Sequence, residues 1–210
     1  MFSRLTHTVV AFLLLSLPAQ AGMMTGLPDI FATPFVKYDS ASGQITAIGS
    51  AIQFKTSSEV QAIFPGTGKT TPYGIFNFKV AVDSNRQVQG SNNNFSILGA
   101  LDSSEAQATL LSGTITELNS AAFSSGVLEF TAVNITGGLS DAFGETVVIS
   151  FSNLAAGTNF LTEKYSPADV NVSRPVPEPV SIAIWGMTFG LGLLGTYRRR
   201  LLAPSARTSS

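Results

Sequence analysis

The chain has 210 residues, 44% of them apolar and only 12% charged, with a formal net charge of −1. That balance, with no basic block in the body, argues against nucleic acid as a partner. The absence of cysteine excludes disulfides, zinc–thiolate sites, iron–sulfur clusters and thiol catalysis.

The chain opens with Arg4 in a short basic start, then an apolar run from Val9 to Leu17, Pro18 as a breaker, and Ala19-Gln20-Ala21. These are the three parts of a secretory signal peptide. The apolar run spans about 14 Å as a helix, too short for a hydrocarbon core of about 30 Å. We therefore assign residues 1–21 as a signal peptide, with Ala19 and Ala21 as the small residues read by signal peptidase. His7, the only histidine of the chain, falls inside it.

Residues 22–175 form the body. It holds seven basic and twelve acidic side chains, a net of −5, so the near-neutral total averages an acidic domain with basic flanks. Its texture is β. Phe76, Phe78, Val80 and Val82 alternate with Ile75, Asn77, Lys79 and Ala81, and Leu128, Phe130 and Ala132 alternate with Glu129, Thr131 and Val133. Such period-two runs predict half-buried strands. Thr146 to Phe151 is a continuous β-rich run suited to a central strand, and further strands are predicted over 45–55, 95–101 and 110–118. Turn-forming clusters at Ser84-Asn85, Ser91 to Asn94 and Gly137-Gly138 separate them. No window carries a 3.6-residue stripe. The expected fold is all-β, an antiparallel sandwich or jelly-roll-like domain.

After the body, Val176-Pro177-Glu178-Pro179 leads into Val180 to Tyr197, eighteen residues without a charge, and then Arg198, Arg199 and Arg200. Eighteen helical residues cover about 27 Å, the lower limit for a membrane span. The arginines place the C-terminus, with its tail 201–210, in the cytoplasm. The prolines of Arg174 to Pro179 predict a stiff, extended spacer above the bilayer. A GPI signal does not fit, because arginines and a polar tail follow the apolar stretch.

The Pro-Glu-Pro triplet, the apolar span and the arginine cluster, in that order over 176–200, resemble the PEP-CTERM sorting signal. The resemblance covers about an eighth of the chain and is strengthened by the signal peptide at the other end. It implies a bacterial protein whose C-terminus is recognised by an exosortase, a membrane-embedded cysteine transpeptidase. That enzyme would cut near Pro177, Glu178 and Pro179 and release or transfer the body to the cell surface, commonly in organisms that make exopolysaccharide. This chain would be its substrate, held transiently in the inner membrane before export is complete. The phrase Leu111-Ser112-Gly113-Thr114-Ile115 is also similar to bodies carried by such signals.

Little in the body points to chemistry. With no histidine after His7, triads and histidine–metal sites are unavailable. Gly66-Thr67-Gly68-Lys69-Thr70 imitates the end of a phosphate-binding loop, but Ile63 stands where the full motif requires glycine. The carboxylate pairs Asp102/Glu105 and Asp141/Glu145 fit glycoside hydrolysis or calcium less well than they fit solvated turns. We therefore expect no enzyme, no cofactor and no metal site, and a structural protein of the cell surface or biofilm matrix. The alternatives are a carbohydrate-binding module for exopolysaccharide, which an exposed groove at Tyr38, Tyr73 or Tyr165 would favour, and an uncut single-pass anchor.

Overall fold

A computed structural model describes residues 24–85, 87–119, 127–154 and 165–176. The proposed signal peptide, and the sorting segment from Pro177 onward, lie outside the described residues, while Val176 is the last residue of a strand. Ten strands follow in chain order: β1 (Met24–Asp39), β2 (Gln44–Lys55), β3 (Val60–Ala62), β4 (Gly74–Val82), β5 (Val88–Gly99), β6 (Ala108–Asn119), β7 (Leu128–Thr136), β8 (Thr146–Ser152), β9 (Ser166–Pro167) and β10 (Asp169–Val176). A single helical turn, α1 (Ser140–Phe143), connects β7 and β8. No helix among the described residues is long and apolar enough to cross a membrane.

The all-β expectation holds. The sandwich or jelly roll does not, because β1 pairs along both of its edges. It runs antiparallel to β2 from Asp29 to Asp39 and antiparallel to β10 from Met24 to Ala32. The order β2-β4-β5-β6-β7-β8-β10-β1 therefore closes on itself into an eight-stranded antiparallel barrel. Alternation along a strand requires one buried face, and a sheet curled round to face itself satisfies that requirement as well as a second sheet does.

The barrel is filled. Phe76, Phe78, Phe130 and Phe151 occupy its middle, all at most 2% exposed. Phe78 lies 4.9 Å from both Phe130 and Phe151, tilted against one ring and edge-on to the other. Ala32, Ala47, Ala51 and Ala132 are also fully buried, leaving room for the rings. Large and small inward residues together fill a lumen of this strand number. The parity read from the sequence is correct: Phe78 is buried and its neighbour Lys79 is exposed.

One end of the barrel, here called the base, carries both ends of the described chain. Met24 is in register with Val176. At the same end Phe143 of α1 is buried 6.1 Å from Phe54, so the short helix plugs the base. Elsewhere the Ser91 to Asn94 cluster, which the sequence reading takes for a turn, falls inside β5, but Gly90 to Asn93 pair with neither neighbouring strand and bulge out of the sheet, with Gly90 at φ 77°. Asn93 makes this possible. Its Oδ1 accepts from Ala81 N at 2.8 Å, and its Nδ2 donates to the carbonyls of Gln89 and Gly90, both at 2.9 Å. These bonds bridge the bulge where the β4–β5 register shifts between Lys79 and Ala81.

Candidate functional site

β1 presents its odd-numbered side chains outward. Ile30, Ala32 and Val36 are buried, whereas Phe35 is 56% exposed. Across the pairs Phe35↔Ile48 and Phe35↔Pro167, its neighbours are Ile48 of β2, also 56% exposed, and Pro167 of β9. β9 exists because the chain before β10 keeps to the same edge of β1, with Ala168 N donating to Pro34 O at 3.0 Å. Thr33, Pro34, Phe35, Asn153, Pro167, Ala168 and Asp169 line an open groove of about 340 Å³ here.

One wall of the groove is polar. Asn153 has a left-handed backbone, φ 58°, and its side-chain amide donates to the Asp169 carboxylate. Asparagine tolerates that conformation better than most residues. Two residues along β1, Lys37 places its ammonium 5.8 Å from the centre of the Tyr165 ring, a cation–π contact. The outer surface at this seam thus offers an exposed phenyl ring, an amide–carboxylate couple and a cation over a phenol.

The three tyrosines separate. Tyr165 is exposed and stands beside β9, Tyr73 is exposed ahead of β4, and Tyr38 is packed against the core. None of them lines the groove; its aromatic wall is Phe35. Sequence reasoning assigns the phenylalanines to the core. The usable signal is parity, because Phe35 shares its face with Lys37 and Asp39 and not with Ile30, Ala32 and Val36.

The other candidates are turns. Asp102 lies between β5 and β6 and accepts hydrogen bonds from the Ser104 backbone N and Oγ, both at 2.8 Å. Those bonds hold its carboxyl below the ordinary range, first through the backbone N–H and then through the hydroxyl. A general acid for glycoside hydrolysis needs the opposite shift. Asp141 lies in the single turn of α1 and Glu145 just beyond it, both exposed. The Gly66 to Lys69 segment is a tight turn in which Thr67 N donates to Glu105 O at 2.8 Å, and the next regular element is strand β4, so no helix N-terminus faces a phosphate there. Among the described residues no group of three His, Cys, Asp or Glu side chains is placed to hold a metal ion. Ala19 and Ala21, the triplet Pro177, Glu178 and Pro179, and Arg198, Arg199 and Arg200 lie outside the described residues.

No family model, curated protein or solved structure matches the chain.

Proposed function

We propose that this is an exported structural protein of the cell surface or extracellular matrix, sorted by an exosortase through its C-terminal signal. The observation that carries the proposal is the ordered series Pro177-Glu178-Pro179, the uncharged stretch Val180 to Tyr197, and Arg198 to Arg200, in a chain whose first 21 residues have the pattern of a signal peptide. A densely filled barrel, with Met24 and Val176 paired at its base, supports the same reading. The chain supplies no catalytic group of its own to the sorting reaction. Before processing it is held in the inner membrane with its C-terminus in the cytoplasm; afterwards the barrel stands at the surface or in the matrix.

Glu178→Ala tests this. It removes the only charge of the triplet and leaves the apolar stretch and the arginines that govern insertion. The wild-type surface form should lose its C-terminal segment, and the variant should stay in the membrane at full length. An intact C-terminus on surface-exposed wild-type protein would establish a plain single-pass anchor instead.

The seam groove favours a second reading, binding of exopolysaccharide. A sugar ring stacks its C–H face on an aromatic side chain, and its hydroxyls take donor–acceptor couples such as Asn153–Asp169. Co-sedimentation of the full chain with insoluble cellulose and with chitin should then fall on Phe35→Ala. Equal retention of wild type and variant removes this reading.

A further inference from the structure

The strands beside the seam hold their outward side chains in rows. Phe35 of β1 is in register with Ile48 of β2, Ile48 with Asn77 of β4, and Asn77 with Ser96 of β5. Two residues along β1, away from the base, runs a parallel row: Lys37 pairs with Thr46, Thr46 with Lys79, and Lys79 with Asn94. Side chains alternate along a strand, so both rows stand on the outer face. On the base side of Phe35, the row from Thr33 to Leu98 is uncharged. Lys37 and Lys79 are therefore the only charges in the three rows, and both are positive, in a body whose net charge is −5.

The carboxylates at the rim of this face are engaged in their own turns. Asp39 accepts from the Ala41 backbone N at 3.0 Å. Asp83 accepts from the backbone N of Asn85 and of Gln87, both at 2.8 Å. Asp169, across β1 from Ile48, accepts from the Asn153 side-chain amide. No carboxylate stands in the row between the two lysines, where Thr46 alone intervenes. Two strand spacings, about 10 Å, separate Lys37 from Lys79. That is within about one Debye length at moderate salt, so a polyanion lying along the row meets both cations at once.

Resting on the second reading above, we propose that the glycan bound at the seam is acidic: a carboxylate-bearing polysaccharide that stacks a sugar ring on Phe35 and lays its carboxylates on Lys37 and Lys79, across β1, β2 and β4. The chemistry of the rows matches such a chain. Phe35 and Ile48, each 56% exposed, take the C–H face of a ring. Thr46, Asn77 and Ser96 bring hydroxyl and amide groups that both donate to and accept from sugar hydroxyls. The ammonium groups take carboxylates as point charges. A nucleic acid carries a phosphate at every residue and stacks successive bases, and the rows hold a single aromatic ring and two cations. One exposed ion pair contributes little. A polymer that repeats its carboxylates re-engages along the face, which gives salt-sensitive but persistent attachment.

The test is native affinity electrophoresis of the full chain through gels holding polygalacturonate, a uronate polymer, or dextran, a neutral glucan, with mobility taken relative to a gel without polymer. Polygalacturonate should retard the wild type at low salt and release it above about 0.3 M. Lys37→Gln combined with Lys79→Gln should raise the apparent Kd for polygalacturonate about fivefold or more and leave that for dextran unchanged. Lys55→Gln combined with Lys69→Gln makes the same change of net charge outside the rows and should raise it by less than about twofold. Thermal unfolding checks that both double variants are folded. Equal retention of wild type and the Lys37/Lys79 variant, an equal loss in the Lys55/Lys69 variant, or dextran held as tightly as polygalacturonate overturns the proposal. Tighter binding to duplex DNA or to phosphatidylglycerol vesicles than to polygalacturonate overturns it too. Absence of retention by polygalacturonate does the same, and the sugar reading falls with it only if cellulose and chitin also fail to separate wild type from Phe35→Ala, so the two failures are distinct.

Discussion

Replacing Phe78 with alanine is the most direct probe of the barrel interior. Phe78 is 2% exposed, with rings 4.9 Å away on two sides and a third, Phe76, at 6.4 Å. Core Phe→Ala changes cost about 3–5 kcal/mol, the spread reflecting how far the site collapses. Here collapse is resisted, because every strand around the cavity is hydrogen-bonded on both edges, so the upper half of that range applies. With an m-value of about 2 kcal/mol/M for a small domain, a loss of about 4 kcal/mol lowers the urea midpoint by about 2 M. Lys79→Ala, one position along on the outer face, should stay within about 0.5 kcal/mol. Urea unfolding followed by far-UV circular dichroism measures both. A Phe78→Ala shift smaller than about 0.5 M, or equal shifts for the two variants, would refute the inward parity of β4. Combining Phe78→Ala with Phe151→Ala should depart from additivity by about 1 kcal/mol, since the two rings share one contact.

Asn93→Ala should cost about 2–3 kcal/mol, because Ala81 N–H and two carbonyls lose their partner in a part-buried bulge; urea unfolding checks this. Gly68→Ala should cost about 1 kcal/mol for its left-handed φ of 75° alone, since open space surrounds it. Gly66→Ala should cost at least twice as much, because its new Cβ would press on the Gln107 backbone, and thermal unfolding separates the two. Burial raises the carboxyl pKa of Asp29, partly offset by Lys55 opposite it. The folded state thus holds that proton more tightly, and the resulting stability, present below the ordinary carboxylate pKa, is lost as pH rises through the folded value. Asp29→Asn should therefore match wild type at about pH 3 and exceed it in Tm near neutrality; a constant Tm difference across that range would contradict the assignment.

The strands most legible in the sequence are those whose neighbours impose nothing unusual. β4 and β7 read directly from Phe76 to Val82 and Leu128 to Ala132, and β8 from Thr146 to Phe151. β1 is hidden because Gly26, Pro28 and Pro34 interrupt its alternation. The structure shows how Pro34 is accommodated: it pairs with Gly49, and a Cβ there would run into the Pro34 Cα and the Thr33 carbonyl. A proline in one strand is thus explained by a glycine in the next, a relation between positions far apart in the chain. Asn93 misleads for a similar reason, since its side chain does in a strand what asparagine usually does in a turn. Phe35 is misassigned by composition and recoverable by parity. Closure of the sheet leaves no local mark at all, because it is a property of which strands meet.

That meeting has a kinetic consequence. The first and last strands of the barrel are partners, so the fold cannot be completed until the C-terminal part of the chain has been made. Until Asp169 to Val176 arrives, β1 has β2 on one side and an unfilled hydrogen-bonding edge on the other. Such edges recruit other chains, and pairings distant in sequence form slowly. The phenylalanines that fill the finished barrel would meanwhile line an open trough. The interval between synthesis of β1 and of β10 is therefore the period of greatest exposure to aggregation, and slowing chain elongation should lower the yield of folded barrel more than warming the finished protein by a few degrees.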